Sequence, residues 1–249
     1  MKILSVEPRI PKALKQGIEA VHNFLPDAVF HFSEEGVRMA SIDPSQIVYV
    51  EFFAPRQFFS RYTLASPEVR VPISLTELSK ILSRLGQADR ILLELEDVEL
   101  HVYVESGGGR IRKEFRLGLI DVSEQEFNMD LPQDLARVEL PAGVLRDALK
   151  DAALFSNSVI LRASPGTFVV EAKGSGGSTR TIVRSSPSVS IETAGDKASR
   201  YSLPFLTNIL KEADADTQVS LQFSTDSPIL IKYSIQGIRL SFFLAHMIL

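Results

Sequence analysis

No cysteine occurs anywhere in the 249 residues. That excludes disulfides and thiolate metal ligands, and it fits an intracellular chain. Long apolar runs are missing as well, and nothing approaches the ~18 residues that a membrane-crossing helix needs. The opening MKILSVEPRI has a lysine but no sustained apolar region behind it, so no signal peptide is expected. Nor is there an excess of positive charge. The 27 basic and 31 acidic residues give a net charge of −4, so any nucleic acid must be held by a local basic surface on a negative whole. What the chain does have is 45% hydrophobic residues, enough to fill a core, and a length that suits one large domain or two ordinary ones.

Catalytic groupings are equally scarce. His22, His31, His101 and His246 lie far apart and form no H-x-x-x-H or other ligand spacing, so structural or surface roles are expected of them. Residues 173–179, KGSGGST, invite a phosphate-loop reading, but the lysine precedes the glycines instead of following them. That run and the one at 107–109 read as turns between strands, where glycine supplies positive φ. No G-x-S-x-G is present. We expect no catalytic residue, no metal and no cofactor.

The chain does, however, say nearly the same thing twice. Shifted by 131 residues, 14–39 falls without a gap on 145–170, so that Leu14 meets Leu145, Ile18 meets Leu149 and Phe24 meets Phe155. At an offset of 128, Ser74-Leu75 meets Ser202-Leu203, Leu78 meets Leu206, and Ile81-Leu82 meets Ile209-Leu210. Each repeated module is a short amphipathic helix followed by strands, and such units bury a face against each other.

Helical periodicity marks 12–25, 74–85, 142–154 and 202–213, with Leu14, Ile18, Val21 and Leu25 on one face of the first. Ser74 and Ser202 open their helices as expected N-caps. Most of the rest reads as short β-branched or aromatic strands broken by Glu35-Gly36, Asp43-Pro44 and 96–98. Residues 122–136 read as a connector, unusual in carrying Phe127, Met129 and Leu131 among acids. Those three either tuck into the core or stand exposed. The polar helix faces carry Lys12, Lys15, Lys80, Arg84, Arg146, Lys150 and Lys211. Packed on a sheet, the helices would present these cations on one surface suited to phosphates. The competing reading is an ordinary solvated face, since Glu77, Asp147 and Asp151 are interleaved.

Three stretches then carry a resemblance. They are EGVRMASIDPSQIVYV at 35–50, with its G-V-x-x-x-x-x-D-x-S-x-I pattern, LIDVSEQEF at 119–127, and SPILIKYSIQGIRLSFFLAH at 227–246. Together they resemble the proliferating cell nuclear antigen family of sliding clamps over essentially the whole chain, the archaeal members more than the eukaryotic ones. The resemblance implies an α+β fold of two duplicated clamp domains, 1–121 and 137–249, joined by the connector 122–136. Each domain has two inner helices and outer antiparallel β-sheets, and three subunits close a ring around duplex DNA. Such a protein is an intracellular processivity factor associated with chromosomal DNA, and not an enzyme. Its implied partners are double-stranded DNA read without sequence preference, DNA polymerase, flap endonuclease, DNA ligase and a clamp loader. A partner peptide would dock on Ile42, Gln46, Ile47, Tyr49, Phe127, Met129, Leu131, Pro228, Phe243 and Leu244. Departures from the family pattern fall here: Gln46 where many members have histidine, Asp130 where a proline often sits, His246 in place of a proline, and an apolar tail, Met247-Ile248-Leu249.

The same resemblance puts Ile111, Phe115, Arg180 and Ile182 at the subunit interface, where 110–117 pairs edge to edge with 178–185 of the next subunit. The first edge carries Arg110, Arg112, Lys113 and Arg116 against Glu114, and the second carries Arg180 and Arg184 with no acid. Like charges opposed across strands repel, an argument for a heterotrimer over a homotrimer. A checkpoint-type clamp subunit is the alternative within the fold. The apolar connector and compact tail argue against it, because those chains tend to carry insertions. A hydrolase or transferase on duplicated α+β domains lacks any constellation to support it.

Overall fold

The computed structural model describes residues 2–86, 88–124 and 131–248. The chain divides into two compact units. One comprises Met1–Pro44, Val50–Glu126 and Ile235–Leu240, the other Ser45–Tyr49, Phe127–Ser234 and Ser241–Leu249.

The first half of the chain runs β1 (Lys2–Pro8), α1 (Pro11–His22), β2 (Asp27–Ser33), β3 (Gly36–Ile42) and β4 (Val48–Pro55). It continues with β5 (Phe59–Leu64), β6 (Glu68–Ser74), α2 (Leu75–Leu82), β7 (Arg90–Glu96), β8 (Glu99–Ser106) and β9 (Ile111–Gly118). The second half runs β10 (Ala136–Pro141), α3 (Ala142–Ala153), β11 (Ser158–Ser164), β12 (Thr167–Gly174) and β13 (Gly177–Arg184). After it come β14 (Ser190–Glu192), β15 (Lys197–Ser202), α4 (Leu203–Ile209), β16 (Gln218–Phe223), β17 (Ile229–Ile235) and β18 (Ile238–Leu244).

The internal repeat reappears strand by strand. The order β5-β1-β7-β8-β9 in the first half is matched by β14-β10-β16-β17-β18 in the second, and β4-β3-β2-β6 is matched by β13-β12-β11-β15. The sequence expectation of strands and four helices is met, with both glycine-bearing runs as turns. Gly107, Gly108 and Gly109 all adopt positive φ between β8 and β9. β10 begins at Ala136, which is fully buried.

Each helix buries one stripe. In α1 the stripe is Ala13, Leu14, Gly17, Ile18 and Val21, and in α3 it is Leu145, Ala148, Leu149 and Ala152. Gly17 is needed there, because a Cβ would meet the Phe52 ring at 3.0 Å and Ile238 at 3.2 Å. In the first unit the helices and both sheets share one core. An apolar cavity of about 40 Å³ is lined by Leu14, Phe30, Val71, Leu78, Leu93 and Leu100 among others. A void of that lining stays dry.

The helix ends differ from expectation. α2 and α4 stop at Leu82 and Ile209, after which the backbone tightens into single i→i+3 turns, Leu85 N–H to Leu82 O and Ala213 N–H to Leu210 O. Ser74 and Ser202 occupy the N-cap positions, but neither side chain makes a capping bond. The first N–H of each helix has a main-chain acceptor instead. Leu75 N–H donates to Pro26 O and Leu203 N–H to Asn157 O, both at 2.9 Å.

Candidate functional site

Burying the apolar stripes leaves the cations on the polar helix faces. In the first unit α1 and α2 lie side by side, joined by a hydrogen bond from Ser79 Oγ to Glu19 Oε1 at 2.6 Å. Lys12, Lys80 and Arg84 are exposed and Lys15 is half-buried. Lys80 pairs with Glu77 at 2.6 Å, a neighbour on its own helix. Lys12, Lys15 and Arg84 have no ion pair among the described residues. In the second unit Lys150 and Lys211 are exposed and Arg146 is half-buried. Lys150 pairs with Asp147 at 3.1 Å. Arg146 Nη1 donates to Ala213 O at 3.1 Å, so its guanidinium is partly spent on closing the end of α4. The seven cations are therefore unequal, and Lys12, Lys15 and Arg84 keep the most freedom to meet a phosphate.

A second cluster collects on the second unit. The Ala245 N–H donates to Ile47 O at 3.0 Å, so the start of β4 runs beside the end of β18. The Tyr49 and Phe243 rings lie 5.9 Å apart at 54°, both half-buried. Gln46, in the turn before them, has a φ of 58° and is exposed. The β17–β18 turn at Gln236-Gly237, both at positive φ, folds the end of β18 back beside the start of β17, where Pro228 is half-exposed. Leu131 is half-buried in the same unit. Leu244 differs from the rest: it is 0% exposed, so its side chain is core and only its backbone can meet a partner. Ile42 is half-buried on the first unit. Phe127 and Met129, expected as anchors, lie outside the described residues.

The third set comprises two open edges. β9 ends the five-stranded sheet and β13 ends the four-stranded one. Ile111 is 54% exposed and Ile182 46% exposed. Strand alternation sets Ile111 and Phe115 on the helix side of their sheet, whereas Ile182 shares the opposite face with Arg180. The charge is not bare either. Arg116 pairs with Glu114 at 2.8 Å, Arg112 with Glu105 at 3.9 Å, and Arg180 with Glu171 at 3.1 Å. Three of the six edge cations are thus paired inside their own sheets, which reduces the repulsion inferred from residue counts.

One feature of the first unit gave no sequence signal, because its members are up to 93 residues apart. His31 Nδ1 meets Glu68 at 2.8 Å and His31 Nε2 meets Glu124 at 2.5 Å, while Arg70 Nε donates to Glu124 at 2.8 Å and Arg70 Nη2 to Val122 O at 3.0 Å. This latch holds residues 122–124, at the root of the connector, against β2 and β6. Burial works against a charged His31, but the bonds to Glu124 and Glu68 outweigh it and raise the ring's pKa. Burial likewise favours a protonated Glu124, and the bonds to His31 and Arg70 reverse that and lower it. Among the described residues no group of three or more His, Asp or Glu is placed to hold a metal.

Comparison with known proteins agrees with this geometry. Residues 6–126 match the model of the proliferating cell nuclear antigen N-terminal domain, and 131–248 that of the C-terminal domain. The DNA polymerase sliding clamp 1 of Thermococcus kodakarensis is 30% identical over 232 residues, 92% of each chain. The DNA polymerase sliding clamp of Thermococcus gammatolerans is 31% identical over the same share. Among solved structures, the proliferating cell nuclear antigen of Thermococcus kodakaraensis superposes with a TM-score of 0.92 at 26% identity, over 98% of this chain and 100% of that one. That of Entamoeba histolytica, at 20% identity, shares the fold with a TM-score of 0.90 over all of both chains. A repeated helix-and-sheet unit, matched along its whole length by both domain models, makes this chain a member of the proliferating cell nuclear antigen family.

Proposed function

We propose that this chain is a DNA polymerase sliding clamp, built from domains 1–121 and 137–249 joined by the connector 122–136, which closes with two further subunits into a ring around duplex DNA. The observation that carries the reading is the pair of open edges. β9 and β13 are the repeat-equivalents of β18 and β4, and the end of β18 already runs beside the start of β4 within the chain. The same join made between chains, through Ile111, Phe115, Arg180 and Ile182, turns two aggregation-prone edges into subunit interfaces. Because three of the six edge cations are paired within their own sheets, the charge argument for paralogues weakens.

Seven helix cations then act on phosphates without reading sequence, and topology supplies the retention that affinity does not. The surface at Gln46, Ile47, Tyr49, Leu131, Pro228 and Phe243 takes a short peptide with apolar anchors from polymerase, flap endonuclease or ligase. Ile42, Phe127 and Met129 complete it on the strength of the family resemblance alone. The protein works as a tether and loading platform, opened by a clamp loader, with no catalytic step of its own.

Light scattering on the eluting protein should give three chain masses. Loaded onto a nicked circular duplex, the ring should stay with the circle and be lost when the circle is cut to a line. A chain that elutes as a monomer alone and assembles only with related chains would restore the heterotrimer. Equal retention on circles and lines would reject encirclement.

A further inference from the structure

The four-stranded sheet β13-β12-β11-β15 buries one face, through Leu161, Phe168, Val170 and Tyr201. Its opposite face is unlike the rest of this acidic chain. Cross-strand register sets Arg200, Ile160, Glu171 and Arg180 in one row. Strand alternation adds Arg162, Lys173 and Arg184 to the same face. Five cations thus stand around Glu171, the one carboxylate in these four strands. A cleft of about 310 Å³ opens among them, lined by Ser158, Ile160, Glu171, Lys173, Arg180 and Arg200. Glu171 is already engaged by Arg162 at 2.7 Å and Arg180 at 3.1 Å. Arg200 Nε is buried without a hydrogen-bond partner, and Lys173 and Arg184 have no ion pair among the described residues. A buried guanidinium N–H that lacks an acceptor is costly, so the site is poised for one.

The first unit shows what fills such a face. His31 occupies the repeat position of Arg162, at an offset of 131. In that unit residues 122–124 of the chain itself lie against this face. The Glu124 carboxylate is held by His31 and Arg70, and Val122 O by Arg70. We infer that the corresponding face of β13-β12-β11-β15 receives an extended acidic segment of a partner protein, whose carboxylates reach Arg200 and Lys173 much as Glu124 reaches His31 and Arg70. The half-buried Ile160, which lines the cleft, offers a contact for apolar residues between the acids. Single-stranded nucleic acid fits less well. It needs aromatic platforms for its bases, and the aromatics of these strands, Phe168 and Tyr201, are fully buried on the other side.

The test uses the whole protein and a labelled peptide copied from residues 119–126, LIDVSEQE, with a control in which its acids become amides. Fluorescence anisotropy at physiological salt should detect the acidic peptide and not the neutral one. Lys173→Glu with Arg200→Glu should weaken binding at least about tenfold, the effect of losing one charge-assisted bond. Glu171→Gln should strengthen it. Should the double variant fold poorly, Lys173→Glu alone, at an exposed position, should still weaken binding severalfold. Retention on circular DNA should be unaffected by the Lys173 and Arg200 changes, which separates this surface from the clamp reading. Equal binding of the neutral peptide, or no loss in the variants, would overturn the proposal. So would an oligonucleotide that binds this face more tightly than the peptide.

Discussion

Replacing Lys12, Lys15 and Arg84 together by alanine tests the helix surface most sharply. These are the helix cations with no carboxylate partner among the described residues and no backbone acceptor of the kind that holds Arg146. A phosphate contact contributes about 0.9 to the slope of log affinity against log salt, so losing three should flatten the slope by up to about 2.7. Between about 50 and 200 mM salt, a slope change of that size is roughly a 40-fold change in the ratio of affinities. The matched control is Lys80→Ala with Lys150→Ala. It removes cations that must first give up Glu77 and Asp147 and should therefore flatten the slope much less. Anisotropy of a short duplex titrated with the assembled protein gives the slopes directly, and light scattering verifies that the oligomer survives. An unchanged slope in the triple variant would refute the phosphate role. An equal effect in the control would refute the ranking by ion pairing.

Tyr49→Ala with Phe243→Ala should abolish binding of a clamp-interacting peptide in a calorimetric titration, while Leu244→Ala, at a fully buried site, should mainly lower stability, by about 2–5 kcal/mol in urea melts. Tyr233→Phe removes a hydroxyl that donates to Ile209 O at 2.7 Å in the core and should cost about 1–3 kcal/mol, because the carbonyl is left unpaired. The connector latch should depend on pH. His31, raised, stabilises it fully below the ring's unfolded pKa and ceases to as pH rises through the folded value. Glu124, lowered, stabilises it above its own unfolded pKa and ceases to as pH falls through the folded value. Hydrogen exchange at residues 122–124, corrected for intrinsic rate, should thus be slowest in mildly acidic solution. His31→Gln should remove the loss on the alkaline side, and a profile unchanged by that substitution would refute the latch.

Much of the architecture was legible in the sequence because it rests on local periodicity. The stripes at Leu14, Ile18 and Val21 and at Leu145 and Leu149 follow from spacing alone, and the glycine-bearing turns from the φ angles they need. What was illegible depends on distant neighbours. Residue counts along β9 and β13 overstated the charge of these edges, because Glu105 and Glu171, which neutralise Arg112 and Arg180, come from the adjacent strands β8 and β12. A motif match put Leu244 among partner-facing residues, yet strand alternation turns Phe243 outward and Leu244 into the core. The His31–Glu124–Arg70 latch escaped for the same reason, as no window of sequence contains it.

The helix starts set how far the two halves can diverge in sequence. Pro26 and Asn157 stand at the same place in the repeat, and each offers its main-chain oxygen to the helix that opens at Leu75 or Leu203. One is a proline and the other an asparagine, yet the bond is the same, since the task needs a carbonyl and no side chain. The serine hydroxyls beside them are spectators, so Ser74→Ala and Ser202→Ala should be nearly silent where a true cap would lose about 1 kcal/mol. A helix anchored by main chain alone leaves its surrounding residues free to change, and two copies so anchored can diverge in sequence while still superimposing in space.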